Sequence, residues 1–265
     1  MKNRLTELFE HKKEKVLNIY FTAGYPKLDD TVKIAEYLEK AGADVLEIGM
    51  PYSDPIADGP TIQKSSEAAI SNGMSIKVLL QQLKDIRKTV SIPICLMGYI
   101  NPVMQYGIEK FCREASKLGV DALILPDLPY LEYKELYQNV FEECNLSNIF
   151  LVTPQTTETR LKDIDNVSSG FIYIVSTNST TGNTTKEMAD NGISASEDYF
   201  LRIQNSGLKN PTLIGFNIKD NASFEFASKY SNGAIIGSAF INLLTNSTNL
   251  KDDIEQYIAK VKGVY

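Results

Sequence analysis

The sequence predicts an α/β fold of the (β/α)8 TIM-barrel class with an extra N-terminal helix, and three observations predict it. Short apolar runs alternate with amphipathic helical stretches along the whole 265-residue chain. The runs are continuously apolar, as strands covered on both faces of a parallel sheet are. There are eight of them, about 33 residues apart, which is the size of a βα unit. An open doubly wound sheet carries a glycine fingerprint after its first strand, and here that turn reads TAGYP with no GxGxxG. No linker rich in Pro, Gly or Ser divides the chain, so residues 1–265 are read as one domain.

Residues 3–13 form a short helix with Leu5, Leu8 and Phe9 on one side. The first strand, 16–21, ends in Thr22, Ala23 and Gly24; Asp29 or Asp30 caps the next helix, and Gly42 stops it. The second strand, 44–49, opens into a loop with Pro51, Ser53, Asp54, Pro55, Asp58 and Gly59, followed by helices over 61–71 and from Ser75. The third strand, 92–97, passes into Gly98, Tyr99, Ile100, Asn101 and Pro102, and a helix spans 107–117. The fourth strand, 120–125, ends in Pro126, Asp127, Leu128 and Pro129. A helix at 131–143, the fifth strand at 148–152, a helix over 157–167 and the sixth strand at 171–175 continue the repeat. From 176 to 192 the chain is almost wholly polar, a length that fits a functional lid better than a connector, with solvent-exposed disorder as the alternative. A helix at 196–206, the seventh strand at 212–216, a helix at 221–230, the eighth strand at 234–236 and one or two closing helices complete the chain.

Composition narrows the function. With 27 basic and 33 acidic residues, a formal charge of -6 and no basic cluster, a nucleic-acid surface is disfavoured. Cys95, Cys112 and Cys144 are odd in number and widely spaced, as buried thiols of a reducing compartment are. The N-terminus has no apolar secretion core, and no run of eighteen apolar residues offers a membrane span, so a cytoplasmic location is expected. His11 is the single histidine, which leaves no support for a metal site and none for a Ser-His or Cys-His nucleophile.

In a barrel of this class, chemistry sits at the C-terminal ends of the strands. Glu47 is an acid inside the buried run VLEIG, a position that is costly unless the carboxylate is paired, hydrated or used. Its bland alternative is a strand-end glutamate held by an arginine or by backbone amides. Asp58 follows in the next loop and can share acid and base roles with Glu47, or can merely form an Asx turn before Gly59. Gly237-Ser238, between the eighth strand and a helix, occupies the recurrent phosphate position of such barrels.

The segments LEIGMPYSDPIADGPTIQ (46–63), FTAGYP (21–26), LMGYINP (96–102), LPDLP (125–129), TTG (180–182) and IIGSA (235–239) resemble, in this order, the alpha subunit family of tryptophan synthase. The resemblance implies a barrel that cleaves indole-3-glycerol phosphate to indole and glyceraldehyde 3-phosphate with no cofactor of its own. It implies as partner a pyridoxal-phosphate-dependent beta subunit, in an alpha2beta2 heterotetramer, that receives the indole. It implies that Glu47 and Asp58 are catalytic. It further implies that Tyr20, Thr22, Met97, Asp127, Tyr173 and Phe216 line the pocket or tie its loops, that Thr181 and Gly182 belong to the lid, and that Gly237 and Ser238 hold the phosphate. Pro51, Asp54 and Pro55 fall where the beta subunit docks. Two positions depart from the family pattern: Asn217 replaces a glycine expected near the phosphate, and Ser179 replaces a common lid glycine. Competing readings are a sugar-phosphate isomerase or aldolase, though no strand ends in the lysine a Schiff base needs, and a degenerate activating subunit, which the presence of both acids opposes.

Overall fold

The computed structural model describes residues 2–55, 58–175, 197–215 and 217–264. Nine parallel strands are built from the apolar runs: β1 (Val16–Thr22), β2 (Val45–Gly49), β3 (Ile94–Met97), β4 (Ala122–Ile124), β5 (Ser147–Ile149), β6 (Leu151–Val152), β7 (Ile172–Val175), β8 (Thr212–Gly215) and β9 (Gly233–Ile236). Their order in the sheet is β5-β4-β3-β2-β1-β9-β8-β7-β6. The two ends of that order, β5 and β6, are separated in sequence by Phe150 alone, whose carbonyl accepts from Tyr173 N at 2.9 Å. The sheet is therefore a closed eight-strand barrel in which one strand is divided, and the eight expected repeats account for nine hydrogen-bonded segments.

Side chains alternate between the two sides of this wall. Leu17, Ile19 and Phe21 of β1, Leu46 and Ile48 of β2 and Ile214 of β8 pack outward with Ile34, Leu38, Phe111 and Phe240 of the helical layer. Val45, Cys95, Ala122, Ile149, Phe171, Leu213 and Ile235 fill the interior together with Leu5 and Phe9. Those last two come from the N-terminal helix (Arg4–His11), which is closed by a capping box on Asn3 and lies against the N-terminal end of the barrel. The Asn3 amide donates to the carbonyls of Asp121 (2.9 Å) and Asn145 (3.1 Å), fixing the helix to the loops before β4 and β5. Asp121, 1% exposed, accepts from Ile94 N and forms ion pairs with Arg87 (2.6 Å) and Arg4 (3.3 Å).

Three local readings are corrected. The third strand is expected to pass into Gly98–Pro102 with the next helix beginning at 107, yet Ile100–Tyr106 is already a helix. Pro102 lies in its first turn, where an amide needs no partner, and the helix breaks from Ile108–Lys117 at Gly107, whose φ is 95°. The helix expected at 131–143 contains a π-helical turn at Tyr133–Tyr137, placing Tyr133 against Phe141 and Phe150 with ring centroids 5.3 and 5.2 Å away. The third strand starts at Ile94 and not at 92, because Pro93 cannot donate to a ladder.

Candidate functional site

Glu47 is held in the barrel interior by β2, paired in register with Tyr20 of β1 and Cys95 of β3, and is 1% exposed. The Asn18 side chain donates to Glu47 Oε2 at 2.8 Å, and no arginine faces the carboxyl among the described residues. Burial and the neighbouring Asp58 push the Glu47 carboxyl up to about 8, with the Asn18 hydrogen bond opposing them. Near neutral pH the residue is thus largely a neutral acid with a proton to give.

Asp58 reaches the same space from the loop after β2. It precedes Gly59, the N-cap of the helix Pro60–Ser71, and Pro60 at the first helical position sets the direction of entry. Its carboxyl accepts from Tyr99 Oη at 3.1 Å, while its carbonyl accepts from Gln63 Nε2 at 2.8 Å. Burial raises the Asp58 carboxyl, and the Tyr99 bond offsets part of that rise. The side chain is engaged across the barrel mouth by a residue that follows β3, in place of the local Asx turn that its sequence also allowed.

Two tyrosines complete the wall. The Tyr20 hydroxyl lies over Gly49 and that of Tyr173 over Gly215, so close that a Cβ on either glycine collides with the ring. The glycines that end β2 and β8 therefore make room for tyrosines of the adjoining strands. Both rings are about 5% exposed, and burial beside Glu47 and Asp58 pushes both phenols upward, keeping them protonated. Tyr20 Oη lies 3.4 Å from Thr22 Oγ1, which is 2.7 Å from Ser65 Oγ. Ser65 gives its proton to the Ile62 carbonyl at 2.8 Å, so Thr22 donates to Ser65 and accepts from Tyr20. A proton on each oxygen of that chain has one direction.

The other expected residues divide by location. Met97 is half-buried and lines a small cavity with Tyr20, Met50, Asp58 and Tyr99. Asp127 accepts from Ile100 N at 2.9 Å, tying the turn after β4 to the helix after β3. Gly237 is the N-cap of the helix Ser238–Asn246, and a Cβ there would sit in ordinary contact with Tyr20. Asn217 is exposed and has φ 61°, the left-handed conformation expected for a residue at a glycine position. Pro51 and Pro55 are half-buried and Asp54 is exposed, while Tyr52 between them packs on Tyr99 with centroids 5.2 Å apart. Thr181, Gly182, Phe216 and Ser179 lie outside the described residues.

Sequence reasoning missed Asn18 and gave Tyr99 no task. The signal for Asn18 was its side-chain amide within the apolar run VLNIYFT, and only the pairing register of β1 and β2 reveals its partner. The signal for Tyr99 was its place after a strand end, but its link to Asp58 spans 41 residues and is invisible to local patterning.

This site sits on a chain with clear relatives. The family profile described as "Tryptophan synthase alpha chain" matches residues 7–264. A tryptophan synthase alpha chain of Flavobacterium psychrophilum is 50% identical over 259 residues, covering 98% of this chain and 99% of that one. Among solved structures, tryptophan synthase subunit alpha of Legionella pneumophila has a TM-score of 0.88 at 30% identity, covering 100% of this chain and 98% of that one. A chain of the tryptophan synthase complex from Pyrococcus furiosus has a TM-score of 0.83 at 30% identity, covering 95% and 99%. With the whole barrel matched in sequence and in three dimensions, the chain belongs to the tryptophan synthase alpha chain family.

Proposed function

We propose that this chain is a carbon–carbon lyase that cleaves indole-3-glycerol phosphate to indole and glyceraldehyde 3-phosphate, with Glu47 and Asp58 as its catalytic residues. The observation that carries this reading is the Glu47 carboxyl, buried in the barrel and pushed up to about 8 with Asp58 beside it. Protonated Glu47 gives its proton to indole C3, so the ring becomes an iminium ion. Asp58 accepts a hydrogen bond from the indole N–H and balances the charge that develops on the ring nitrogen. The side-chain hydroxyl next to C3 then loses its proton to the Glu47 carboxylate as the C–C bond breaks. The bonding pair returns to the ring, indole and an aldehyde are formed, and the acid is restored. The phosphate is assigned to the amides at Gly237 and Ser238, where the helix Ser238–Asn246 begins, and Asn217 stands in the chain where the family pattern has a glycine expected near it.

The same reading assigns a partner: a pyridoxal-phosphate-dependent beta subunit, in an alpha2beta2 assembly in the cytoplasm, docking on the loop with Pro51, Asp54 and Pro55. Tyr52, packed on the Tyr99 that holds Asp58, links that loop to the acid. No helix of the described residues is long and apolar enough to cross a membrane. The test is indole release from indole-3-glycerol phosphate, with and without beta subunit, for the native chain and for Glu47→Gln. The native chain is expected to turn over and to be stimulated by the partner, and Glu47→Gln to be inactive. Unchanged turnover in the variant would remove Glu47 from the mechanism.

A further inference from the structure

Asn18 lies in the middle of β1, is 0% exposed, and has Val45 and Ile235 as its register neighbours on the flanking strands. A side-chain amide is an unfavoured occupant of a strand interior, and its burial costs stability unless its donors and acceptor are satisfied. Here they are satisfied only in part. Nδ2 donates to Glu47 Oε2 at 2.8 Å, whereas the buried Oδ1 has no hydrogen-bond partner among the described residues. An amide retained under these conditions signals a task other than stability.

The neighbourhood of Glu47 defines that task. Its ionisable surroundings are Tyr20 from β1, Asp58 from the loop after β2, Cys95 from β3 and Tyr173 from β7. The phenols and the thiol are neutral, and Asp58 is an anion when ionised, so none of these groups offers a positive charge to the Glu47 carboxylate. The Asn18 amide instead donates a neutral hydrogen bond to that carboxyl. We propose that Asn18 is a positioning residue for the reaction, its amide serving Glu47 in both protonation states: Nδ2 donates to the carboxylate and, after a half-turn about Cβ–Cγ, Oδ1 accepts from the carboxylic acid. This rests on the reading of Glu47 as the proton donor. The two ends of an amide are equal in shape, so the half-turn displaces no neighbour, and the same oxygen of Glu47 is addressed before and after proton transfer. Stabilising the carboxylate makes Glu47 a stronger acid toward C3, and Oδ1 keeps the acid aimed while the substrate binds.

The experiment measures the pH dependence of kcat and of kcat/KM for indole release, in the presence of the beta subunit, for the native chain, Asn18→Val and Asn18→Asp. Valine removes the amide, and aspartate keeps an acceptor of nearly the same shape without the donor. In both, the fall in activity on the alkaline side is expected to move upward by about one to two pH units, the size expected for one hydrogen bond to a charged group. At neutral pH kcat is expected to fall roughly tenfold or more while KM stays within about twofold, because the loss is confined to the step in which charge appears on Glu47. Infrared difference spectra of each chain against its own Glu47→Gln counterpart give the Glu47 titration without turnover and are expected to shift in the same direction. An unmoved profile with an unmoved carboxyl band would overturn the assignment. So would loss of folded structure in both Asn18 variants, which would make the residue a structural one. The two readings fail separately: an active Glu47→Gln defeats the lyase mechanism, whereas an inactive Glu47→Gln with unshifted Asn18 variants defeats only the role of Asn18.

Discussion

At the scale of single residues, the site holds a buried acid where its charge costs stability. Glu47 has an ordinary value near 4.5 and a folded value of about 8, so between these limits the folded chain binds a proton that the unfolded chain has lost. Stability therefore falls as pH rises through that window, by on the order of 3 kcal/mol at pH 7. Glu47→Gln keeps an acceptor for Asn18 and removes the charge. Denaturant melts should show little difference from the native chain near pH 4 and a stabilised variant at pH 7 to 8. Gly49→Ala is expected to act in the opposite sense, since its Cβ collides with the Tyr20 hydroxyl and must displace that ring from the pocket. A drop in kcat with a folded, moderately destabilised protein is the expected result, checked by activity and thermal melting together. Glu47 was legible in the sequence because one acid interrupts an apolar run, whereas Gly49 looked like a simple strand terminus. Its purpose depends on which ring the neighbouring strand aims across it, and that is a property of register.

Elements are where local rules succeed and long-range ones are needed. The strands announced themselves by continuous apolar runs, and their order followed from the βα repeat, so the barrel was readable before any contact was known. The helix at Ile100–Tyr106 was not, because a proline inside it and Gly98 and Gly107 on either side mimic a loop, and the Asp127 carboxylate, which accepts from Ile100 N, secures its start. The end of β8 gives the clearest test at this scale. Asn217 adopts φ 61° where a glycine is free of side-chain strain, so Asn217→Gly should alter stability by no more than about 1 kcal/mol. It should lower KM for indole-3-glycerol phosphate by opening space beside the phosphate position, and an unchanged KM would show that the asparagine is no hindrance there. On the opposite end, Asp121 holds Arg87, Arg4 and Ile94 N at once. Asp121→Ala leaves the half-buried Arg87 guanidinium without its carboxylate and Ile94 N without its acceptor, and is expected to cost about 3 kcal/mol in chemical denaturation while kcat remains that of the native chain.

Across the whole molecule, stability and chemistry are assigned to opposite ends of one barrel. The N-terminal helix closes the end away from the site, with Phe9 set 6.1 Å from Phe171 between ring centroids. Phe9→Ala is expected to lose about 3 to 5 kcal/mol and to lower Tm, with kcat and KM unchanged at temperatures where the variant is folded. That plug was visible in outline from Leu5, Leu8 and Phe9 at helical spacing; its destination inside the barrel was not, because helix faces do not say which cavity they fill. The divided strand has a consequence of another kind. At Phe150 the wall passes from β5, paired to β4 through three residue pairs, to β6, paired to β7 through two, while β1 and β2 share five. Amide protons along β5 and β6 are therefore expected to exchange with deuterium sooner than those of β1 and β2, so that the strand that carries the acid is among the last parts of the wall to open.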